Sequence, residues 1–397
     1  MRVPRLVFYT GKGGVGKTTT AAATAAHAAV RGARALVLSA DPAHSLGDVL
    51  QVRLGPEPAE VAPRLFALEV DARAEMERHW GRIRDFLVAL FRHQGIESVV
   101  AEELALLPGA EEMAALLAME GHGRADAFDL VVVDCAPTGS TLRLVTLPEV
   151  ATGTLRVALR VQRALATLVS PIARALLPVP LPDADVFRDV ERLLYERLGG
   201  VRALLLDAAT SVRLVVTPER MVIDEAVRAH GDLCLFELGC DAVVMNRLIP
   251  AEAAAEAFFG DWARVQEERL REVATTFAPL PVLEARLARD EVVGASALAA
   301  HGEALFAGRD PAARLCRAER LRFGRRPDAN GAFRVELPLP HARRETLDVT
   351  KLDDQILVRA GGLRRSIPLP RRLARLGLAG ARLEGGRLVV RLAPAQA

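Results

Sequence analysis

The sequence predicts an α/β fold: a mostly parallel sheet with helices on both faces and a helical insertion, followed by a small C-terminal antiparallel β-sandwich. Three observations predict it. Short apolar runs alternate with helical stretches over residues 5–307, the pattern of successive βαβ units. The first run leads into a glycine-rich loop and then a helix of small residues, an arrangement that gathers backbone N–H groups around an anion. From Ala332 the hydrophobic period changes to two, with Asp, Gly and Pro separating the runs.

In order along the chain, strands are expected near 5–10, 33–39, 65–70, 128–134, 212–216, 241–245 and 277–282. The segment from Thr19 to Val30 reads as a small-residue helix able to pack close to a sheet. Residues 72–125 and 151–210 are too long for simple crossovers and read as a helical subdomain. In the second interval Ala158, Val161, Leu165, Leu168, Ile172 and Ala175 make an apolar stripe at helical spacing. Pro171 kinks or divides that helix, and Leu177-Pro-Val-Pro-Leu-Pro182 follows as extended chain. The stripe has two readings, a face packed on its own domain or a groove for a client. Residues 309–331 read as a charged linker holding one short helix at Ala312–Phe323. Phe333–Leu337, Thr346–Val349, Gln355–Arg359, Leu363–Leu369 and Leu388–Leu392 read as strands of the sandwich. The expected domains are therefore 1–308 and 332–397, joined by 309–331.

Composition excludes several classes. The chain has 397 residues, 51% hydrophobic and 26% charged, with 30 Gly and 23 Pro, which rules out a disordered chain, a collagen-like repeat and a disulfide scaffold. No stretch of about 18 residues is free of charge, so no transmembrane segment is expected. The N-terminus does not fit a signal peptide, and the expected location is cytoplasmic. Cys135, Cys234, Cys240 and Cys316 lack CxxC spacing and read as free thiols in a reducing compartment. Net charge is +2, but residues 1–308 hold 32 basic against 41 acidic side chains, and residues 309–397 hold 20 against 9. With 4% aromatic residues there is little to stack on bases. The basic part therefore reads as a solvated face or a match for an acidic partner, with no nucleic acid.

Of the 52 basic residues only Lys12, Lys17 and Lys351 are lysine. Two of them lie in Gly11-Lys-Gly-Gly-Val-Gly-Lys-Thr18, a place that uses compact ammonium charges rather than planar guanidinium forks. The window fits GxxxxGK[ST], the P-loop, which makes the parallel sheet a P-loop NTPase sheet with ATP and Mg²⁺ as cofactors. Gly11, Lys12, Gly13, Gly14, Val15, Gly16, Lys17, Thr18 and Thr19 are the expected nucleotide-binding residues. Lys17 would lie along the β- and γ-phosphates, and the Thr18 hydroxyl would ligate Mg²⁺.

An ordinary P-loop does not require Lys12. The pattern GKGGxGKT resembles the deviant Walker A group of ATPases, which includes the nitrogenase iron protein, MinD and the ArsA-type ATPases. In that group the extra lysine reaches the nucleotide of the partner subunit. The resemblance thus implies a homodimer formed through the nucleotide face, with Asp41, Lys12 and Lys17 as catalytic residues. Ala40-Asp-Pro-Ala-His-Ser-Leu-Gly-Asp48 resembles switch I of the ArsA-type family, which comprises arsenical pump-driving ATPases and the targeting ATPase for tail-anchored membrane proteins. It assigns Asp41 the positioning of water, a role suited to an acid leaving the C-terminal end of a parallel strand. Asp134 and the following Cys135-Ala-Pro-Thr-Gly-Ser-Thr-Leu-Arg-Leu-Val145 resemble switch II. This implies Asp134 in the outer coordination sphere of Mg²⁺ and a moving loop at Pro137, Thr138 and Gly139, with Ser140 where the family usually has His. In Cys240-Asp-Ala-Val-Val-Met-Asn-Arg-Leu248, Asn246 resembles the family's adenine-contacting Asn, and Glu291-Val-Val-Gly294 more weakly resembles a later family motif. Glu384-Gly-Gly-Arg-Leu-Val-Val-Arg-Leu392 resembles the closing hairpin of an alpha-crystallin (small heat-shock protein) domain, which bacterial members of the family carry.

The resulting expectation is an Mg²⁺-dependent, dimerising ATPase. Three uses compete for its cycle. A nucleotide-switched chaperone or targeting factor, with a hydrophobic protein client or membrane-protein partner, is favoured by the stripe and the appended sandwich. An arsenite or antimonite pump subunit would be about twice as long and carry a cysteine trio, which this chain does not match. A MinD-like positioning ATPase would expect a basic amphipathic terminal helix, where strands are predicted instead. No CxxC follows Asn246, so no structural zinc is expected.

Overall fold

The computed structural model describes residues 4–41, 45–93, 96–104, 110–123, 127–135, 192–324 and 332–394. The chain forms two compact units: Met1–Phe8, Thr18–Thr210 and Val292–Glu303 in the first, Tyr9–Lys17, Ser211–Glu291 and Ala304–Ala397 in the second.

In the first unit β1 (Arg5–Thr10, whose last two residues belong to the second unit), β2 (Ala35–Ser39), β3 (Ala59–Ala62), β4 (Leu65–Glu69) and β5 (Leu130–Asp134) lie in the order β3-β4-β2-β5-β1. β2 runs parallel to β4 and β5, and β3 is an antiparallel edge strand. β2 and β5 are buried along their whole length, as unbroken apolar strands covered on both faces must be. α1 (Lys17–Val30) is buried from Thr20 to Ala29; its alanines and threonines permit that enclosure. α2 (Ser45–Leu50) follows β2. α3 (Ala72–His93), α4 (Ser98–Leu104) and α5 (Ala110–Gly123) occupy the first long interval. A π-helical turn at Arg192–Arg197 leads into α6 (Leu198–Leu205), where Arg197 pairs with the buried Glu120 of α5 at 2.8 Å. The stripe from Ala158 to Ala175, Pro171 and Leu177–Pro182 lie outside the described residues. β3 has no counterpart in the sequence reading, because Ala-Glu-Val-Ala is short, partly exposed and without an apolar run.

The second unit continues from the end of β1 in the order β1-β6-β7-β8, with β6 (Thr210–Val216), β7 (Cys240–Leu248) and β8 (Val282–Arg286) parallel. α7 (Arg220–Leu235) follows β6 and α8 (Ala257–Thr276) follows β7; α9 (Ala295–Phe306), next along the chain after β8, belongs to the first unit as far as Glu303. Two expectations are corrected here. The strand placed at 277–282 lies instead at 282–286. Phe277-Ala-Pro-Leu-Pro281 is the turn after α8, and its prolines lack the N–H that a ladder needs.

The helix placed at Ala312–Phe323 does not form. That segment is pinned by Arg213, which is completely buried. Its guanidinium donates from Nε to Asp241 Oδ1 (3.1 Å), from Nη1 to Tyr9 Oη (3.1 Å), and from Nη2 to the carbonyls of Pro311 (3.0 Å) and Ala313 (3.1 Å). Asp241 Oδ2 accepts Leu315 N at 3.3 Å. A buried guanidinium needs every donor satisfied, and the chain from 311 to 315 supplies acceptors only by not coiling. Farther on, Arg322–Phe323 becomes β9.

β10 (Phe333–Pro338), β11 (Leu347–Leu352), β12 (Gln355–Ala360), β13 (Leu363–Pro368), β14 (Gly377–Glu384) and β15 (Arg387–Ala393) form two antiparallel sheets, β14-β15-β10-β9 and β11-β12-β13. Their hairpins turn at Asp353-Asp354, Gly361-Gly362 and Gly385-Gly386. Val335, Leu337, Ile356, Val358, Ile367, Leu388, Val390 and Leu392 are buried. Lys351 donates to the carbonyls of Asp353 (2.6 Å) and Ala374 (2.9 Å), tying a hairpin turn to the segment before β14. The sandwich is seated on α7. Arg365 donates to the Leu235 carbonyl and pairs with Glu237, and His230 Nδ1 lies 3.1 Å from His341 Nε2 beside the Phe277 ring. No helix among the described residues is long and apolar enough to cross a membrane.

Candidate nucleotide site

The glycine-rich loop belongs to the second unit. β1 ends at Thr10, and the chain turns through Gly11–Gly16 before α1 begins at Lys17. Two glycines are dictated by what surrounds them. A Cβ at Gly11 would lie 2.3 Å from the Val215 carbonyl oxygen of β6. Gly16 has φ +91°, and a Cβ there would lie 2.3 Å from Asn246 Nδ2. Asn246, near the end of β7 and 8% exposed, donates from Nδ2 to the Val15 carbonyl (2.8 Å) and accepts Arg247 N at Oδ1 (2.9 Å). It therefore forms the floor of the loop, a contact with the backbone that the family resemblance did not suggest.

The two loop lysines are placed differently. Lys17 is buried and its ammonium donates to the Lys12 carbonyl at 3.3 Å. The Lys12 side chain is 38% exposed, and its ammonium lies 3.8 Å from Glu225 Oε2 on α7. Among the described residues nothing lies within 4 Å of where a Cβ would stand at Gly13 or Gly14. Glu225 had no signal in the sequence; only the placement of α7 brings it to the loop.

The first unit holds the remaining candidates. Thr18 and Thr19, in the first turn of α1, are partly buried, and Thr18 Oγ1 lies 3.2 Å from the hydroxyl of Ser45, which opens α2. Asp41 follows β2, and its amide donates to Ser39 Oγ at 3.3 Å. Asp134 ends β5 in register with Ser39, is fully buried, and accepts Ala40 N at its carbonyl (2.9 Å). Asp41 and Asp134 thus leave the C-terminal ends of neighbouring parallel strands, the edge at which open α/β sheets bind ligands. Pro42–His44, Pro137, Thr138, Gly139 and Ser140 lie outside the described residues.

The donor set suits a polyphosphate. The loop through Lys17 offers backbone N–H groups and an ammonium, and the first turn of α1 contains no acid. Among the described residues no group of three or more His, Cys, Asp or Glu could hold a metal ion. A Mg²⁺ beside Thr18 would therefore rely on hydroxyl, phosphate and water oxygens, which is its usual preference. Burial pushes the Cys234 thiol up to about 12 and that of Cys240 well above its ordinary value, which disfavours the thiolate at both positions.

The sequence matches the anion-transporting ATPase family over residues 4–307 and the HSP20-like domain found in ArsA over residues 330–392. It is 32% identical to a protein of Aquifex aeolicus that bears, provisionally, the name arsenical pump-driving ATPase 1, across 97% of this chain and 99% of that one. It is 29% identical to the ATPase ASNA1 homolog of Trypanosoma cruzi, across 74% of this chain and 88% of that one. With the arsenical pump-driving ATPase of Acidiphilium multivorum identity is 30%, across 75% of this chain and 48% of that protein. The glycine loop on its Asn246 floor, the parallel sheet and these matches lead to one conclusion: the chain belongs to the anion-transporting (ArsA-type) ATPase family, is an ATP hydrolase, and carries the family's HSP20-like domain.

Proposed function

We propose that the chain hydrolyses ATP as an Mg²⁺-dependent, cytoplasmic homodimer closed through the nucleotide face, and that the cycle drives a chaperone or protein-targeting step on a hydrophobic or membrane-protein client. The observation that carries the dimer is the contrast between the two lysines. Lys17 is buried in its own loop, whereas the Lys12 side chain is 38% exposed and meets the partly exposed carboxylate of Glu225 at 3.8 Å. In this reading Lys17 neutralises charge on the β- and γ-phosphates, and Lys12 does the same on the partner's nucleotide. The backbone from Gly11 to Thr19 cradles the phosphates, with Asn246 beneath it. Asp41 orients the attacking water, and Pro137, Thr138 and Gly139 follow the state of the γ-phosphate. A bound Mg²⁺, held by Thr18 with Asp134 behind it, supplies further charge neutralisation. Residues 1–308 act as the ATPase domain, 309–331 as the connection and 332–397 as the alpha-crystallin-like domain. The test is specific ATPase activity against protein concentration, with and without an apolar helical peptide. Activity per subunit should rise with concentration until the dimer is saturated and should respond to the peptide; a rate independent of concentration from a chain that sediments as a monomer with nucleotide would refute the dimer.

A second reading, the energising subunit of an arsenite or antimonite pump, is favoured by the names of the Aquifex and Acidiphilium relatives. Against it stand the buried Cys135 and Cys240 and the half-buried Cys234, whose thiol is pushed up to about 12. Arsenite should leave the ATPase rate unchanged. Severalfold stimulation that disappears on substituting Cys135, Cys234 or Cys240 would restore the pump.

A further inference from the structure

Lys12 is held from two sides by its own subunit. Its carbonyl accepts the Lys17 ammonium at 3.3 Å, and its own ammonium lies 3.8 Å from Glu225 Oε2. Glu225 sits in the second turn of α7, which starts four residues beyond the end of β6. The carboxylate is therefore fixed at the same sheet edge as the loop by a helix whose far end, at His230 and Leu235, is anchored against the sandwich. The side chains of Lys12 and Glu225 are 38% and 30% exposed, so the pair is open to water and can exchange partners.

We propose that Glu225 is a positioning residue that parks Lys12 on its own subunit and so sets a threshold for dimer closure. The inference rests on the dimer reading above. To reach an anion on a second copy, the Lys12 ammonium must leave a fixed carboxylate, and it does so only for a site of greater negative charge. A triphosphate meets that condition and a weakly charged ligand does not. The two holds act in series. The Lys17 ammonium is the group that phosphate oxygens would draw off the Lys12 carbonyl, which frees the Lys12 backbone before its side chain changes partner. A carboxylate that instead aimed Lys12 toward the partner would have the opposite effect on dimer affinity.

The test is sedimentation velocity on the full chain with Mg²⁺ and a non-hydrolysable ATP analogue, comparing wild type, Glu225→Gln, Glu225→Asp, Lys12→Gln and the Lys12→Gln/Glu225→Gln double variant. Two exposed pairs are broken per dimer, so Glu225→Gln should tighten the dimer about threefold to tenfold. Glu225→Asp, with its shorter reach, should fall between Glu225→Gln and wild type. The gain should shrink in about 0.5 M KCl, and in the Lys12→Gln background the change at 225 should have no effect. A purely structural Glu225 would lower the melting temperature and act equally in both backgrounds. An unchanged or weakened dimer in Glu225→Gln overturns this inference while leaving the dimer reading intact. A wild-type chain that stays monomeric with nucleotide at every concentration overturns both.

Discussion

Removing the side chain of Asn246 separates two roles that the residue could have at the nucleotide. The Asn246→Ala substitution leaves the Val15 carbonyl without its 2.8 Å partner and the Arg247 amide without its 2.9 Å acceptor. Val15 is 2% exposed and Asn246 8% exposed, so water replaces the bond to the Val15 carbonyl poorly, whereas Arg247 is exposed and its amide can turn to water. The lost partner at Val15 costs about 1–3 kcal/mol. Set against the binding form of the loop, this corresponds to about 5-fold to 150-fold in affinity. The loss should be the same for Mg²⁺–tripolyphosphate as for Mg²⁺–ATP, because the loop serves phosphates and not the base. The assay is calorimetric titration of both ligands, or displacement of a fluorescent ATP analogue by each. If ATP weakens while tripolyphosphate binds as before, the side chain acts on adenine and the loop-floor argument fails; if neither weakens, both roles fail.

Lys17→Ala should abolish nucleotide binding, whereas Lys12→Arg should bind ATP yet lose hydrolysis, because the planar fork cannot replace a compact charge; wild-type turnover in Lys12→Arg would remove the lysine from catalysis. Asp41→Asn should retain ATP and accumulate as a nucleotide-bound dimer on size-exclusion chromatography, and unchanged hydrolysis would move water positioning elsewhere. The seat of the sandwich should depend on pH. Burial, together with the adjacent His341, pushes His230 down to about 4, and burial also lowers His341. Both rings are therefore held neutral, and their contribution to stability is intact above about pH 6.5 and lost as pH falls toward 4. Asp232 opposes this: burial, against the pull of Arg228, raises it to about 6, so its contribution grows as pH falls. Asp232 thus offsets part of the histidines' loss, and wild-type melting should fall only modestly between pH 6.5 and 4. Asp232→Asn should melt progressively lower over that window, and a flat profile in this variant would show that the histidine pair does not hold the sandwich.

Much of the molecule was legible in the sequence because its signals are local. Residues 11–18 announce a phosphate loop by glycine spacing and by lysines in an arginine-rich chain. The apolar runs of β1, β2, β5, β6 and β7 mark buried parallel strands, and the change of period at Ala332 marks the sandwich. The Asp-Asp and Gly-Gly pairs stand at the hairpin turns where the chain must reverse. The tertiary structure decided what depends on partners remote along the chain. β3 and β9 are strands because β4 and β10 offer them an edge, not because their own residues favour pairing. The segment after α9 stays uncoiled because Arg213, about a hundred positions earlier, is buried and needs its carbonyls. Asn246 lies under Gly16, and Glu225 meets Lys12, only once β6, β7 and α7 are packed. Periodicity and turn chemistry act between near neighbours and can be read along the chain. Hydrogen-bond satisfaction, close approach and pKa depend on which groups share a dry space, and that is settled only when the strands are side by side.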